Sequence, residues 1–82
     1  MQVEGSILAL LEQHGALAAE QVAAHLNQPT DAVQTALWGL HERGLVDVFG
    51  VGDLKDNFTR AVAYWRLTDD GRAELARLRR LE

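Results

Sequence analysis

The segment that decides the fold lies at residues 37–46 and reads LWGLHERGLV. Its first half continues an apolar stripe at helical spacing, formed by Val33, Leu37 and Leu40. Gly44 belongs to the residue type that most often follows the end of a helix. Beyond it the apolar residues Val46 and Val48 occupy alternate positions, as they do in a half-buried strand. We therefore predict a helix over about residues 30–43 that leads directly into a β-strand.

Two shorter amphipathic helices are predicted upstream of this segment. The first ends before Gly15, and its apolar stripe consists of Val3, Ile7, Leu8 and Leu11, widened by Leu10. A short extended link at residues 16–17 precedes the second helix, which is predicted over about residues 18–26. Residues 27–30 form a turn, and Thr30 is predicted to be the N-cap of the third helix.

A second alternating run and a final helix follow the first strand. One face of this run is shared by Ala61, Ala63, Trp65 and Leu67, and the other by Val62, Tyr64 and Arg66. The polar loop at residues 53–59 joins the two strands into a hairpin. Thr68 is predicted to cap a last helix whose apolar side consists of Leu75, Leu78 and Leu81. The chain is thus predicted to be one domain over residues 1–82, mostly α-helical with a small β-hairpin.

The order of these elements resembles the winged helix-turn-helix superfamily, and three segments carry the resemblance. Residues 26–33, LNQPTDAV, are similar to the turn into the third helix, and residues 37–46 are similar to the exit from it. Residues 65–75, WRLTDDGRAEL, resemble the segment after the wing in bacterial regulators of the MarR and PadR type, with Trp65 where that pattern has Tyr. The resemblance implies an α-α-α-β-β-α fold, a third helix that enters the DNA major groove and a homodimer formed through the last helix.

The residue types exclude most catalytic and metal-binding chemistry. The chain has no cysteine, so disulfides, thiolate metal sites and cysteine nucleophiles are excluded. Ser6 is the only serine, and no His–Asp pattern accompanies it. The three histidines, His14, His25 and His41, are expected to lie far apart near helix ends. We therefore expect no enzymatic activity, no cofactor and no metal ion.

No segment has the run of about 20 apolar residues that a membrane helix needs. The first residues, MQVE, also lack the positive charge of a secretory signal peptide. The expected location is the cytoplasm, without a membrane partner.

Charge is distributed unevenly along the chain. Residues 1–42 contain five Asp or Glu and no Lys or Arg, which gives −5, whereas residues 43–82 contain eight basic and seven acidic residues, which gives +1. Proteins that bind DNA neutralise phosphates with clustered Lys and Arg. The predicted helix-turn-helix is therefore acidic where a DNA-binding surface is usually basic.

Two functions of different class remain open at this point. In the first, the chain is a DNA-binding transcriptional regulator in which Thr30, Gln34, Thr35 and Trp38 on the third helix read double-stranded DNA. Lys55 and Arg60 on the wing would then contact phosphates. In the second, the acidic surface, which includes Asp31, binds a protein partner, with Trp38 as its anchor.

Three further assignments have alternatives that the sequence leaves open. Trp38 either packs over the wing or the first helix and closes the core, or stays exposed as an anchor. Gly39 either permits the close approach of another backbone or ring, or is simply tolerated in the helix. The other tryptophan, Trp65, is predicted to lie in the core. Arg77 and Arg80 either contact phosphates or a second subunit, or stabilise the end of the last helix, where Arg77 can pair with Glu74.

Overall fold

The helices and strands follow the predicted order. A computed structural model describes residues 3–51 and 62–81, and within them the elements are α1 Val3–His14, β1 Ala16–Ala18, α2 Ala19–Leu26, α3 Thr30–Glu42, β2 Val46–Val51, β3 Val62–Leu67 and α4 Asp69–Arg80. This is the mostly helical winged-helix arrangement that the sequence predicts. The predicted wing loop, including Lys55 and Arg60, lies outside the described residues.

The three strands form one antiparallel sheet with β3 in the middle, in the order β1-β3-β2. The link predicted at residues 16–17 is therefore a strand of its own. Trp65 in β3 faces Leu17 on one side and Val48 on the other. Because directly opposed residues of antiparallel strands share a face, these three side chains form one apolar row that covers the helices.

The core lies between this row and the helices, and its largest fully buried side chains are Ile7, Leu8, Leu11, Leu37, Leu40, Leu75, Val22, Val33 and Val46. Trp65 is 3% exposed, which confirms its predicted place in the core. The prediction for Val3 is wrong, because this residue is 41% exposed. Val3 is the first residue of α1, and the buried residues of this helix begin at Gly5.

Left-handed backbone conformations end the first three helices. Gly15 and Gly44 have φ values of +86° and +77°, and Asn27 has a φ of +55°. The turn after α2 is stabilised by a hydrogen bond, in which the N–H of Gln28 donates to the carbonyl oxygen of Ala23 at 3.0 Å. These three residues are the stop and turn residues that the sequence predicts.

The prediction that Thr30 is the N-cap of α3 is wrong by one position. Pro29 is the cap residue, with φ −61° and ψ 140°, and no side chain caps the helix. Its carbonyl oxygen accepts the first helical hydrogen bond, from the N–H of Val33 at 3.1 Å. The proline ring fixes φ at a value compatible with this cap position, so the helix starts at Thr30 itself.

Thr68 joins the start of α4 to the turn between α3 and β2. Its hydroxyl oxygen accepts from the N–H of Gly71 at 2.9 Å, which confirms the predicted cap, and the same hydroxyl donates to the carbonyl oxygen of Gly44 at 2.7 Å. Its N–H donates to the carbonyl oxygen of Leu45 at 3.1 Å. One residue thereby holds the start of α4 against the turn that follows α3.

Among the described residues, no helix is both long enough and apolar enough to cross a bilayer.

Candidate nucleic-acid interface

The face of α3 that points away from the core is solvent-exposed, and we call it the outer face of α3. It consists of the exposed residues Asp31, Gln34, Thr35, Trp38 and Glu42. The opposite side of the helix is fully buried through Val33, Leu37 and Leu40. Thr30, at the first helical position, is half-buried at the edge of this face. Helical periodicity thus brings four predicted contact residues to the outer face of α3 and a fifth to its edge. These residues are Asp31, Gln34, Thr35 and Trp38 on the face and Thr30 at the edge.

Two side chains on the outer face carry neutral hydrogen-bonding groups. Gln34 is exposed, and its amide has both a donor and an acceptor end. The hydroxyl of Thr35 donates to the carbonyl oxygen of Asp31, one turn earlier, over 3.0 Å. The proton of Thr35 is therefore used within the helix, while its oxygen lone pairs remain available as acceptors.

Trp38 combines the two roles that the sequence leaves open. Trp38 is 51% exposed, and its ring also meets the ring of Trp65 edge to face, with centroids 5.1 Å apart. The ring of His41 also contacts the ring of Trp38 edge to face, with centroids 5.5 Å apart. One side of the indole thus closes the core above β3, and the other side is the largest apolar surface on the outer face of α3.

Gly39 shows no close approach. Apart from its two chain neighbours and the nearby backbone of α3, a methyl group built on its Cα would have no described atom within 4 Å. The glycine neighbouring Trp38 is therefore not required by packing among the residues described.

The electrostatics of the outer face are acidic. Asp31 and Glu42 are its charged residues, and α3 contains no Lys or Arg. Four of the arginines elsewhere in the described residues hold carboxylates: Arg43 bonds both Glu4 and Glu74 at 3.4 Å, Arg72 bonds Asp69 at 3.4 Å, Arg77 bonds Glu74 at 2.7 Å and Arg79 bonds Glu12 at 2.9 Å. Four of the eight basic residues of the chain are thus partly neutralised by carboxylates within the fold.

The pairing of Arg77 with Glu74 is bidentate. Nε donates to Oε1 at 2.9 Å and Nη2 to Oε2 at 2.7 Å. The hydrogen bonds from Arg77 lower the pKa of Glu74, with a smaller contribution from Arg43, and those to Glu74 raise the pKa of Arg77. The pairing expected from the sequence is confirmed, and it holds the guanidinium of Arg77 against its own helix.

The last helix exposes little apolar surface. Leu75 is fully buried, Leu78 is half-buried, and Leu81 is 72% exposed just after the helix. Arg80, predicted as a phosphate or dimer contact, is exposed beside it. The leucine stripe therefore turns outward only at its end, and the homodimer stays a prediction.

The expectation that the three histidines lie far apart is wrong for one pair. The rings of His14 and His25 have centroids 4.9 Å apart, because the ends of α1 and α2 come together beside β1. His41 lies with the two tryptophans instead, 6.2 Å from the ring of Trp65. Sequence spacing could not reveal this pair, since it depends on how two helices pack. Within the described part of the chain, no group of three or more His, Asp or Glu side chains could hold a metal ion.

An aromatic pair on the outer side of the sheet was not found by the sequence reasoning. The rings of Phe49 and Tyr64 stack at 5.9 Å, and the guanidinium of Arg66 lies 5.5 Å from the Phe49 centroid. The alternation in β3 predicted that Tyr64 and Arg66 share a face. Phe49 could have been added to them, because it alternates with Val48 in the partner strand.

The fold and its comparisons define the class: the chain has the winged helix-turn-helix fold of MarR- and PadR-type transcription regulators. It is similar to the YusO protein from Bacillus subtilis, with 24% identity, a TM-score of 0.76 and coverage of 93% of this chain and 50% of that one. It is similar to a PadR family transcription regulator from Clostridium difficile, with 14% identity, a TM-score of 0.81 and coverage of 95% and 83%.

A third similar structure is Bacillus subtilis PadR in complex with operator DNA, with 18% identity, a TM-score of 0.79 and coverage of 92% of this chain and 44% of that one. The chain thus spans about half the length of YusO and less than half of this PadR chain. No protein-family model matches the sequence, and no curated protein matches it either.

Proposed function

We propose that this chain is a DNA-binding winged-helix domain of a transcriptional regulator, with the outer face of α3 presented to the major groove. The observation that supports this most strongly is the agreement of its fold, over 92% of the chain, with a PadR protein bound to operator DNA. In helix-turn-helix proteins the recognition helix lies in the major groove, and we assign that role to α3.

Within this proposal the neutral residues of the outer face read the bases. The amide of Gln34 suits the adjacent donor and acceptor of adenine, and the oxygen of Thr35 suits a base donor. Trp38 offers apolar contact to a thymine methyl group or a sugar. Lys55 and Arg60, which the sequence predicts on the wing loop, would supply phosphate contacts. Arg80 would either join them or lie in a homodimer formed through the last helix, and Arg77 could do the same if it left Glu74.

The test is a fluorescence-anisotropy titration of a labelled mixed-sequence duplex with the full chain at low salt. We expect non-specific binding by about 10–100 µM, the weak end of the usual range, because the outer face of α3 is acidic. With a selected binding sequence, Gln34→Ala should weaken binding, whereas Gln13→Ala, an exposed glutamine on α1, should not. Absence of any binding below about 100 µM would contradict the proposal.

A second function is favoured by a specific observation, the half-exposed ring of Trp38 on an acidic face. We propose as the alternative that this face binds a basic protein surface, since exposed Trp residues dominate many protein interfaces. Affinity capture with the wild-type chain, Trp38→Ala and Phe49→Ala tests it. Phe49 is the matched control, because it is an exposed aromatic residue on the outer side of the sheet.

A protein retained by the wild-type chain and by Phe49→Ala, but lost from Trp38→Ala, would support the alternative. Equal capture by all three chains would contradict it. High salt should also release the partner, because the proposed attraction is between an acidic face and a basic one.

A further inference from the structure

The paired imidazoles of His14 and His25 form a site that the proposed function does not use. Their ring centroids are 4.9 Å apart and the rings are tilted by 36°. The two side chains come from different helices, and both are exposed. Imidazole is the most common neutral metal ligand in proteins, so two rings at this distance are a candidate chelating pair.

The separation matches that of two imidazoles on one metal ion. A Zn–N bond is about 2.0–2.1 Å, which places each ring centroid about 3.2 Å from the ion. Two such rings at the tetrahedral angle then have centroids about 5 Å apart. Because both side chains are exposed, each ring can rotate about its terminal torsion to turn a nitrogen toward the ion without moving core atoms.

The electrostatic surroundings favour a cation. His14 is the last residue of α1, and His25 lies in the last turn of α2, so both rings stand near carbonyl ends where the helix dipoles are negative. Residues 1–42 also carry five carboxylates and no Lys or Arg. Two arginines from the second half of the chain approach this end of α1, but Arg79 is paired with Glu12 at 2.9 Å, and Arg66, opposite Ala16 in the sheet, lies over the ring of Phe49.

We propose that His14 and His25 bind one divalent transition-metal ion, with water completing its coordination. Two nitrogen ligands suit Cu²⁺, Ni²⁺ and Zn²⁺, and Cu²⁺ should bind tightest of the three. With only two protein ligands the affinity is moderate, in contrast to closed structural zinc sites that use four. The ion would connect the end of α1 to α2, so it would stabilise the folded chain.

The test uses the full chain without a histidine tag, treated with a chelator and then titrated with CuCl₂, NiCl₂ or ZnCl₂ by calorimetry. His14→Ala and His25→Ala should each weaken binding by at least about tenfold, since chelation by the second ring is lost. His41→Ala is the matched control and should bind as the wild type does, because its ring lies with Trp38 and Trp65. The double variant His14→Ala/His25→Ala measures the background.

Two further readouts separate a shared site from independent contacts. The Tm of the wild type should rise on metal addition, and that rise should vanish in both single variants while their circular dichroism stays native. Electron paramagnetic resonance of the Cu²⁺ complex should show two equivalent nitrogen ligands. A wild-type affinity equal to that of the double variant, or binding that survives either single substitution unchanged, would overturn the proposal.

Discussion

The indole of Trp38 meets the indole of Trp65 edge to face, with centroids 5.1 Å apart and an angle of 89° between the ring planes. This contact joins α3 to β3, the central strand of the sheet. Trp65 is 3% exposed and Trp38 is 51% exposed, so the pair spans the boundary between core and solvent. The exposed side of Trp38 on the outer face of α3 thus rests directly on the core.

The two tryptophans should therefore differ sharply in their contributions to stability. Trp65→Ala is expected to lower the free energy of unfolding by about 3–5 kcal/mol, because it empties a buried site. Trp38→Ala is expected to cost only about 1 kcal/mol, the worth of an edge-to-face contact plus partial burial. Urea unfolding followed by circular dichroism measures both. Equal losses in the two variants would show that Trp38 is as buried as Trp65.

Two glycines in helices should respond in opposite directions to alanine. At Gly71, in the first turn of α4, a Cβ would collide with the carbonyl oxygen of Leu45 and lie 2.9 Å from Cδ2 of Leu67. Gly71→Ala should thus destabilise the chain by about 1–3 kcal/mol through overpacking. Gly39→Ala has open space around it and should stabilise α3 by up to about 1 kcal/mol.

Thermal or urea unfolding of the two alanine variants, side by side, checks this pair of predictions. The measurement also tests how closely α4 packs against the backbone of Gly44 and Leu45, which both Thr68 and Gly71 approach. A neutral Gly71→Ala would mean that α4 can move away from Leu45 at no cost.

Local chemistry explains why much of the fold could be predicted from the sequence. Gly44 ends α3 because glycine adopts positive φ at little cost, and Thr68 caps α4 because its hydroxyl can reach the N–H of Gly71. Both events involve residues only a few positions apart. The apolar stripe of α3 is likewise fixed by helical period alone.

The remaining features depend on contacts between segments that are distant in sequence. The pairing of β1 with β3 joins residues near position 17 to residues near position 65, and no local pattern indicates it. The His14–His25 contact requires the packing of α1 beside α2. Whether Trp38 is core or surface was open for the same reason, because its environment is supplied by Trp65.

The ion pair between Glu74 and Arg77 should make stability depend on acidic pH. The pKa of Glu74 is lowered in the folded chain, chiefly by its hydrogen bonds from Arg77. A carboxylate with a depressed folded-state pKa stabilises the fold fully above its unfolded value, about 4.3 for Glu, and this contribution is lost as the pH falls through the folded value.

Glu74→Gln should therefore unfold at lower urea than the wild type at neutral pH, and the difference should shrink below about pH 4.3. Arg77→Gln should show a smaller loss with the same convergence, because Glu74 keeps its contact with Arg43, and the double variant should lose little more than Glu74→Gln alone. Parallel titration curves for wild type and Glu74→Gln across the acidic range would contradict the coupling.

The charges of α3 determine how strongly its outer face can meet phosphates. Asp31 lies in the first turn and Glu42 is the last residue, so one carboxylate stands near each end of the face. Within the described residues, the arginines at positions 43, 72, 77 and 79 already hold carboxylates and offset this repulsion little. Any DNA complex formed through this face is therefore opposed by two like charges.

Asp31→Asn combined with Glu42→Gln should strengthen binding of mixed-sequence duplex DNA by about three- to tenfold at low salt, because two charges that repel phosphates are removed. The gain should shrink at higher salt, because salt screens the repulsion between these two carboxylates and the phosphates. The matched control, Glu20→Gln on α2 with Asp47→Asn on β2, changes the net charge equally through exposed carboxylates outside α3. An equal gain in the control would show that only net charge matters. No gain in either, with binding intact, would place another surface against the DNA.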